Sequence, residues 1–370
     1  MLGEFRWERQ LHQRGVAADV AVAQGRIVVH ERRSRLVCLD SRDGTVHWDA
    51  PVGDWPRGFV IAGDRCLVLT SGSHQLICLD LVTGTTLWRV SLPVYTGHVT
   101  ATADTVLVGG WRDYTPLVAF DLYDGRPLWR TSTSVAAMLP LAWGGGVLLG
   151  RAREAWLLHP RDGSELGRWR LPEPMAVSDA ATFTAVGPDR CLVPCGPRSI
   201  VALRLSSGAV DRFFDHHVDL VVTATEFTAG IVWVRERRAG YLAVDPVRGS
   251  TMCRVDVGQP LVGGIVPTGP GFVLAGENGT LYRVGADGVV VGRLSVTRRI
   301  AALADLGTGG LVMVTKGTLR AVESYAPRAG DQGEEACLGR TRATGEPAGS
   351  RLPGRGASYD GRRPGVAQEE

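Results

Sequence analysis

One phrase recurs along this chain about every forty residues: an apolar stretch, an Asp, a Gly four positions on, then a Trp four beyond that. Three copies are nearly intact: Leu39-Asp40…Gly44…Trp48, Leu79-Asp80…Gly84…Trp88, and Phe120-Asp121…Gly125…Trp129. A fixed period constrains the fold more than any single residue does, because each unit buries its apolar face only against the next copy. The turn glycines fall at Gly44, Gly84, Gly125, Gly163, Gly208, Gly249 and Gly288. Their spacing of about 38 to 45 residues is the length of a small four-stranded sheet with its turns.

The unit over residues 59–92 shows the pattern. Phe59-Val60-Ile61-Ala62, Cys66-Leu67-Val68-Leu69-Thr70, Leu76-Ile77-Cys78-Leu79 and Leu87-Trp88-Arg89-Val90 are β-rich runs separated by Gly, Asp and Ser clusters. Such an alternation predicts an antiparallel meander. No helical period longer than about two turns occurs in residues 1–324. The glycine supplies the positive φ that a tight turn needs. The tryptophan is expected to wedge between adjacent sheets, where about 150–250 Å² of buried surface stabilises the ring by several kcal/mol.

Residues 300–324 hold three strands and lack a fourth with its Trp. The N-terminal segment Glu4-Phe5-Arg6-Trp7-Glu8-Arg9-Gln10-Leu11 has the character of the missing outer strand. The expected fold is therefore an all-β, eight-bladed β-propeller over residues 1–324, closed by pairing the N-terminal strand into the last blade. Closure removes free sheet edges and ties the two ends together. A seven-bladed ring is the second choice, if the degenerate region 172–217 is a long loop. Residues 325–370 hold nine glycines, four prolines, seven arginines and seven acids. They cannot bury enough apolar surface to fold, and a disordered tail is expected.

The repeat resembles that of the pyrroloquinoline-quinone-like β-propellers. That group includes quinoprotein alcohol dehydrogenases and the bacterial outer-membrane assembly lipoprotein of the β-barrel machinery. The resemblance spans residues 4–324 and implies the propeller fold; the same repeat serves enzymes, scaffolds and sensors. Later copies have decayed. His159 and Arg204 stand in the Asp position, and Arg212, Cys253 and Gly292 in the Trp position.

The resemblance to the dehydrogenases implies a vicinal Cys-Cys pair, Glu and Asn ligands for Ca²⁺ and a catalytic Asp. This chain has no Cys-Cys pair and a single asparagine, Asn278, so the quinone cofactor is not expected. Cys191-x₃-Cys195 lacks a second pair at zinc spacing. His216-His217, on a strand, would point to opposite faces, so a solvated loop is the simpler reading and no metal site is expected. GxSxG, P-loop and HExxH spacings are lacking.

Net charge is +3, too small to imply nucleic acid. The N-terminus runs straight into a charged strand and no long apolar stretch follows. Together with seven cysteines, this leads to an expectation of a cytoplasmic bacterial monomer without membrane contact.

In a four-stranded meander, the loops joining second to third strands open on the same face as the blade-to-blade crossings. Sorting the sequence this way puts arginines, histidines and aromatics on that face. The candidate contact residues are Arg33, Arg57, His98, Trp111, Arg112, Tyr114, Arg153, His216, Arg237 and Arg298. Such a set suits an anionic small molecule or an acidic protein partner through bidentate hydrogen bonds. The reading is a non-catalytic binding or scaffold propeller. The alternatives are an enzyme of a bacterial biosynthetic pathway using the central funnel, and a ligand-sensing regulatory domain.

Overall fold

The computed structural model describes residues 5–323, apart from 12–19, 32–33, 54–55, 71, 94–96, 110–115, 135–138, 176–182, 238–239, 263, 270, 297–298, 308–309 and 316. The expected tail, 325–370, lies outside the described residues. Eight antiparallel sheets of four strands follow one another around a ring. Blades 1 to 7 occupy residues 20–51, 56–91, 98–134, 141–170, 184–215, 220–255 and 266–295. Among the described residues there is no helix. The fifth sheet settles the blade count: region 172–217 contains Thr184–Ala185, Arg190–Cys195, Ser199–Arg204 and Val210–Asp215 paired in order.

Blade 8 joins the two chain ends. Ile300–Asp305, Gly310–Thr315 and Thr318–Glu323 form its first three strands, and Phe5–Gln10 is the outer one. Trp7 pairs with Ala321 and Arg9 with Leu319, and the Leu11 N–H donates to Gly317 O at 2.7 Å. A core of Leu11, Val20, Ile27, Val312, Val314 and Leu319 spans blades 8 and 1. The ring is closed by packing as well as by hydrogen bonds.

The repeated phrase is a joint between neighbouring blades. In blades 1 to 3 the glycine N–H donates back to the Asp carbonyl, Gly44 to Asp40 at 3.0 Å, Gly84 to Asp80 at 2.9 Å and Gly125 to Asp121 at 3.0 Å. The Asp carboxylate accepts from the turn's own N–H groups, as Asp80 Oδ1 does from Val82 at 2.9 Å and Thr83 at 2.7 Å. The tryptophan of the preceding blade covers each glycine. A Cβ at Gly84 would stand 2.6 Å from the Trp48 ring, at Gly125 2.7 Å from Trp88, and at Gly163 2.8 Å from Trp129. The indole N–H then donates to the turn: Trp48 to Leu81 O at 2.9 Å, Trp88 to Leu122 O at 3.0 Å and Trp129 to Pro160 O at 2.8 Å. The glycine thus serves a second purpose besides its positive φ.

Where the phrase decays, the joint is rebuilt. Gly167 holds the Trp position of blade 4, and Trp169, two residues on, donates to Arg204 O at 3.2 Å. Trp143 lies 6.0 Å from Trp169 and donates to Gly187 O at 3.0 Å. His159 and Arg204 replace Asp without loss of the turn, because the backbone bonds from Gly163 and Gly208 persist at 2.9 and 3.1 Å.

Candidate functional site

The predicted contact face is built from second-to-third-strand loops and blade crossings. Of its ten nominated residues, Arg33, Trp111, Arg112, Tyr114 and Arg298 lie outside the described residues, as does the side chain of Arg57. His98 is buried in the first strand of blade 3, opposite Gly109. Arg153 projects from the blade 4 loop, exposed, with no ion pair among the described residues. Only His216 and Arg237 come together, at the crossing from blade 5 into blade 6.

That crossing is stitched by charge. Asp219 takes Arg198 Nε at 3.0 Å and Arg237 Nη1 at 3.4 Å, and the Arg198 guanidinium holds its carboxyl below the usual carboxylate range. Glu236 is buried at 4 % exposure and joins two side chains: one carboxylate oxygen meets His216 Nε2 at 2.7 Å, the other Arg254 Nη2 at 2.8 Å. The His216 ring stacks on Phe214, 5.8 Å between centroids and 16° between planes, and lies 4.3 Å from His217. His216 is therefore not the solvated loop residue expected from sequence. The backbone is sutured too, His216 N–H to Arg198 O at 3.0 Å and Arg237 N–H to Asp219 O at 2.9 Å.

The same pairing recurs around the rim. Arg35 grips Asp49, with its Nε 2.6 Å from the carboxylate. Arg9 reaches Glu31 at 3.3 Å, and Arg299 reaches Glu277 at 2.5 Å. The residues nominated for this face are arginines, histidines and aromatics, without the acids that pair with them. Asp49 lies on the strand next to Arg35, whereas Glu31, Glu277 and Asp219 meet their arginines across neighbouring blades and crossings. These paired sites present both signs at once, so a small anion binding at one of them would have to displace an internal carboxylate.

The opposite face differs. Val82, Tyr123 and Val247 stand 53 %, 58 % and 79 % exposed at the same step of three Asp–Gly turns. Among the described residues no group of three or more His, Cys, Asp or Glu is placed to hold a metal ion.

A closed ring of eight four-stranded blades with a charged loop rim defines this chain as a β-propeller of the pyrroloquinoline-quinone-like class. The family model described as outer membrane protein assembly factor BamB matches residues 2–91 and 73–212, more than half of the 370 residues, and the chain belongs to that family. Among solved structures, BamB from Moraxella catarrhalis superposes with a TM-score of 0.68 at 16 % identity, covering 86 % of this chain and 99 % of its own. A computationally designed protein, Ika8, is as similar, with a TM-score of 0.68 at 15 % identity over 85 % of this chain and 98 % of its own. At such identities the likeness is one of fold. No curated protein sequence matches.

The family match corrects the expected cytoplasmic location, because the matching model is described as an outer membrane protein assembly factor and a solved BamB shares the fold. The cysteine argument behind that expectation fails for a physical reason. Cys38, Cys66, Cys78, Cys191 and Cys195 are free but buried, and burial pushes Cys38, Cys78 and Cys195 up to about 12. Thiols without access or thiolate character stay reduced in any compartment.

Proposed function

We propose that this chain is a non-catalytic scaffold in protein assembly, docking a polypeptide partner through the ion-paired loop rim. The observation that carries this reading is the shared Asp219 of Arg198 and Arg237 beside the His216–Glu236–Arg254 cluster. A surface presenting both signs in fixed positions suits a protein, whose own acids and bases complement it and set register and on-rate. Exposed Arg153 adds an acidic preference on the same rim. Membership of a family described as an outer membrane protein assembly factor supports a polypeptide partner over a small metabolite.

The test is binding of the full chain to the purified outer-membrane assembly machinery of its own cell, in two salt concentrations. The double variant Arg198→Glu, Arg237→Glu should bind at least about tenfold more weakly, with a flattened salt dependence. Val82→Glu and Val247→Glu, on the opposite face, should bind as the parent does. Unchanged affinity of the rim variant, or loss confined to the turn-face variants, would move the contact off the rim.

A further inference from the structure

At the seam between blades 7 and 8 the sequence lacks both halves of the repeated joint. Blade 7 has Gly292 in the tryptophan position. In blade 8, cross-strand register sets Glu323 opposite Gly310, as Asp80 stands opposite Arg65 and Asp121 opposite Thr105. Glu323 therefore holds the Asp position, and Ser324, Tyr325, Ala326 and Pro327 follow where other blades turn back. Pro327 falls at the turn glycine. A proline has neither the N–H that would bond the Asp carbonyl nor access to positive φ. The outer strand of this blade comes from Phe5–Gln10 instead.

Gly292 is not required by its backbone. It lies inside the strand Val290–Ser295 and is not among the glycines with positive φ. A strand glycine without that need marks a place where another group comes close. Blade 4 shows which group. Gly167, also in the tryptophan position, has the Trp169 ring 3.0 Å from where its Cβ would stand. At Gly292 a Cβ would meet, among the described residues, only the Arg283 Cβ at 3.7 Å, and the residue two further on is Leu294. Register sets Arg283 opposite Gly292, in the place that Cys38, Cys78 and Ala119 take opposite Trp48, Trp88 and Trp129. Arg283 is half-buried, and its guanidinium has no ion pair among the described residues. A cation where small apolar residues otherwise stand suits a ring face laid against it.

We infer that Tyr325, which lies outside the described residues, docks in this seam with its ring over Gly292 and against the Arg283 guanidinium. The joint is then made in reverse, with the glycine in blade 7 and the ring on the chain that leaves blade 8. Position names the occupant. In intact joints the residue after the Asp accepts the indole N–H, as Leu122 O does from Trp88 at 3.0 Å, so this stretch lies against the neighbouring outer strand. Tyr325 is one residue past that point and two past the last strand residue, at most about 7 Å of chain. Beyond Glu323 the other aromatic residue is Tyr359, far down the chain. A cation against a ring is a contact this ring of blades makes elsewhere, Arg65 over Tyr123 at 5.4 Å and Arg320 over Phe5 at 4.9 Å. The docked ring anchors the root of the C-terminal segment on the face of the Asp–Gly turns, away from the loop rim.

Limited trypsin digestion of the full chain, followed by mass spectrometry, tests this, because Arg328 lies just past Tyr325 and Arg340 and Arg342 lie well beyond it. Arg328 should be cut at least about tenfold more slowly than Arg340 and Arg342, and Tyr325→Ala should abolish that difference. Gly292→Trp supplies the ring from blade 7, and it should release Arg328 while keeping the parental Tm. Arg328 cut as fast as Arg340 in the parent, or still protected after either substitution, overturns the inference. A lowered Tm in Gly292→Trp overturns it too, by showing that the seam has no room for a ring. Protection that vanishes on dilution also overturns it and assigns the ring to a second copy of the chain.

Discussion

Trp7 lies against Gly44 so closely that a Cβ on the glycine would stand 2.8 Å from the indole ring, and its Nε1 donates to Ser41 O at 3.4 Å. This is the joint seen between blades 1 and 2, yet Trp7 belongs to blade 8 and Gly44 to blade 1. The first strand of the chain therefore closes the circle through the same contact that every intact copy makes with its neighbour.

Deleting residues 1–10 should expose the edge of Thr318–Glu323 and uncover Gly44 together. The expected outcome is loss of the single cooperative unfolding transition and concentration-dependent association, seen by calorimetry and light scattering. A truncated chain that stays monomeric with the parental Tm would show that blade 8 stands on three strands.

Gly84→Ala separates the two duties of the turn glycine. Gly84 has φ +72° and the Trp48 ring 2.6 Å from its virtual Cβ, while Gly63 has φ +57° and nothing within 4 Å. Gly63→Ala should cost about 1 kcal/mol from backbone strain alone, and Gly84→Ala about 2–4 kcal/mol because overpacking is added. Urea unfolding of both variants is the measurement, and equal costs would remove the joint's steric part.

Trp88→Ala should destabilise by about 3–5 kcal/mol, as truncation of a packed aromatic. Trp88→Phe should recover much of that and leave the loss of the bond to Leu122 O, about 1 kcal/mol. A Tm indifferent to Trp88→Ala would contradict the interblade contact.

Acid should loosen the turns. Backbone N–H bonds from Thr83 hold the Asp80 carboxyl below its usual range, and those from Arg248 and Val247 do the same for Asp245. A depressed folded pKa contributes stability that is present above the unfolded value near about 3.9 and is lost as pH falls through the folded one. Tm should therefore drop below about pH 4, and Asp80→Asn should flatten part of that drop. An identical acid profile for the variant would exclude the turn carboxylate as its source.

The sequence by itself determined the blade and the closure of the ring. Period, turn glycines and outer tryptophans are local regularities, and the unmatched strand at Trp7 was legible as the complement of an incomplete last unit. Tertiary structure decided which residues those regularities bring together. That Trp48 plugs Gly84, that Trp169 steps in for Gly167, and that Arg198, Arg237 and His216 are held by Asp219 and Glu236 all depend on which side chains adjoining blades and crossings bring together. A repeat records what each unit offers its neighbour, and partners far apart along the chain acquire chemistry only once the ring sets them a few ångströms apart.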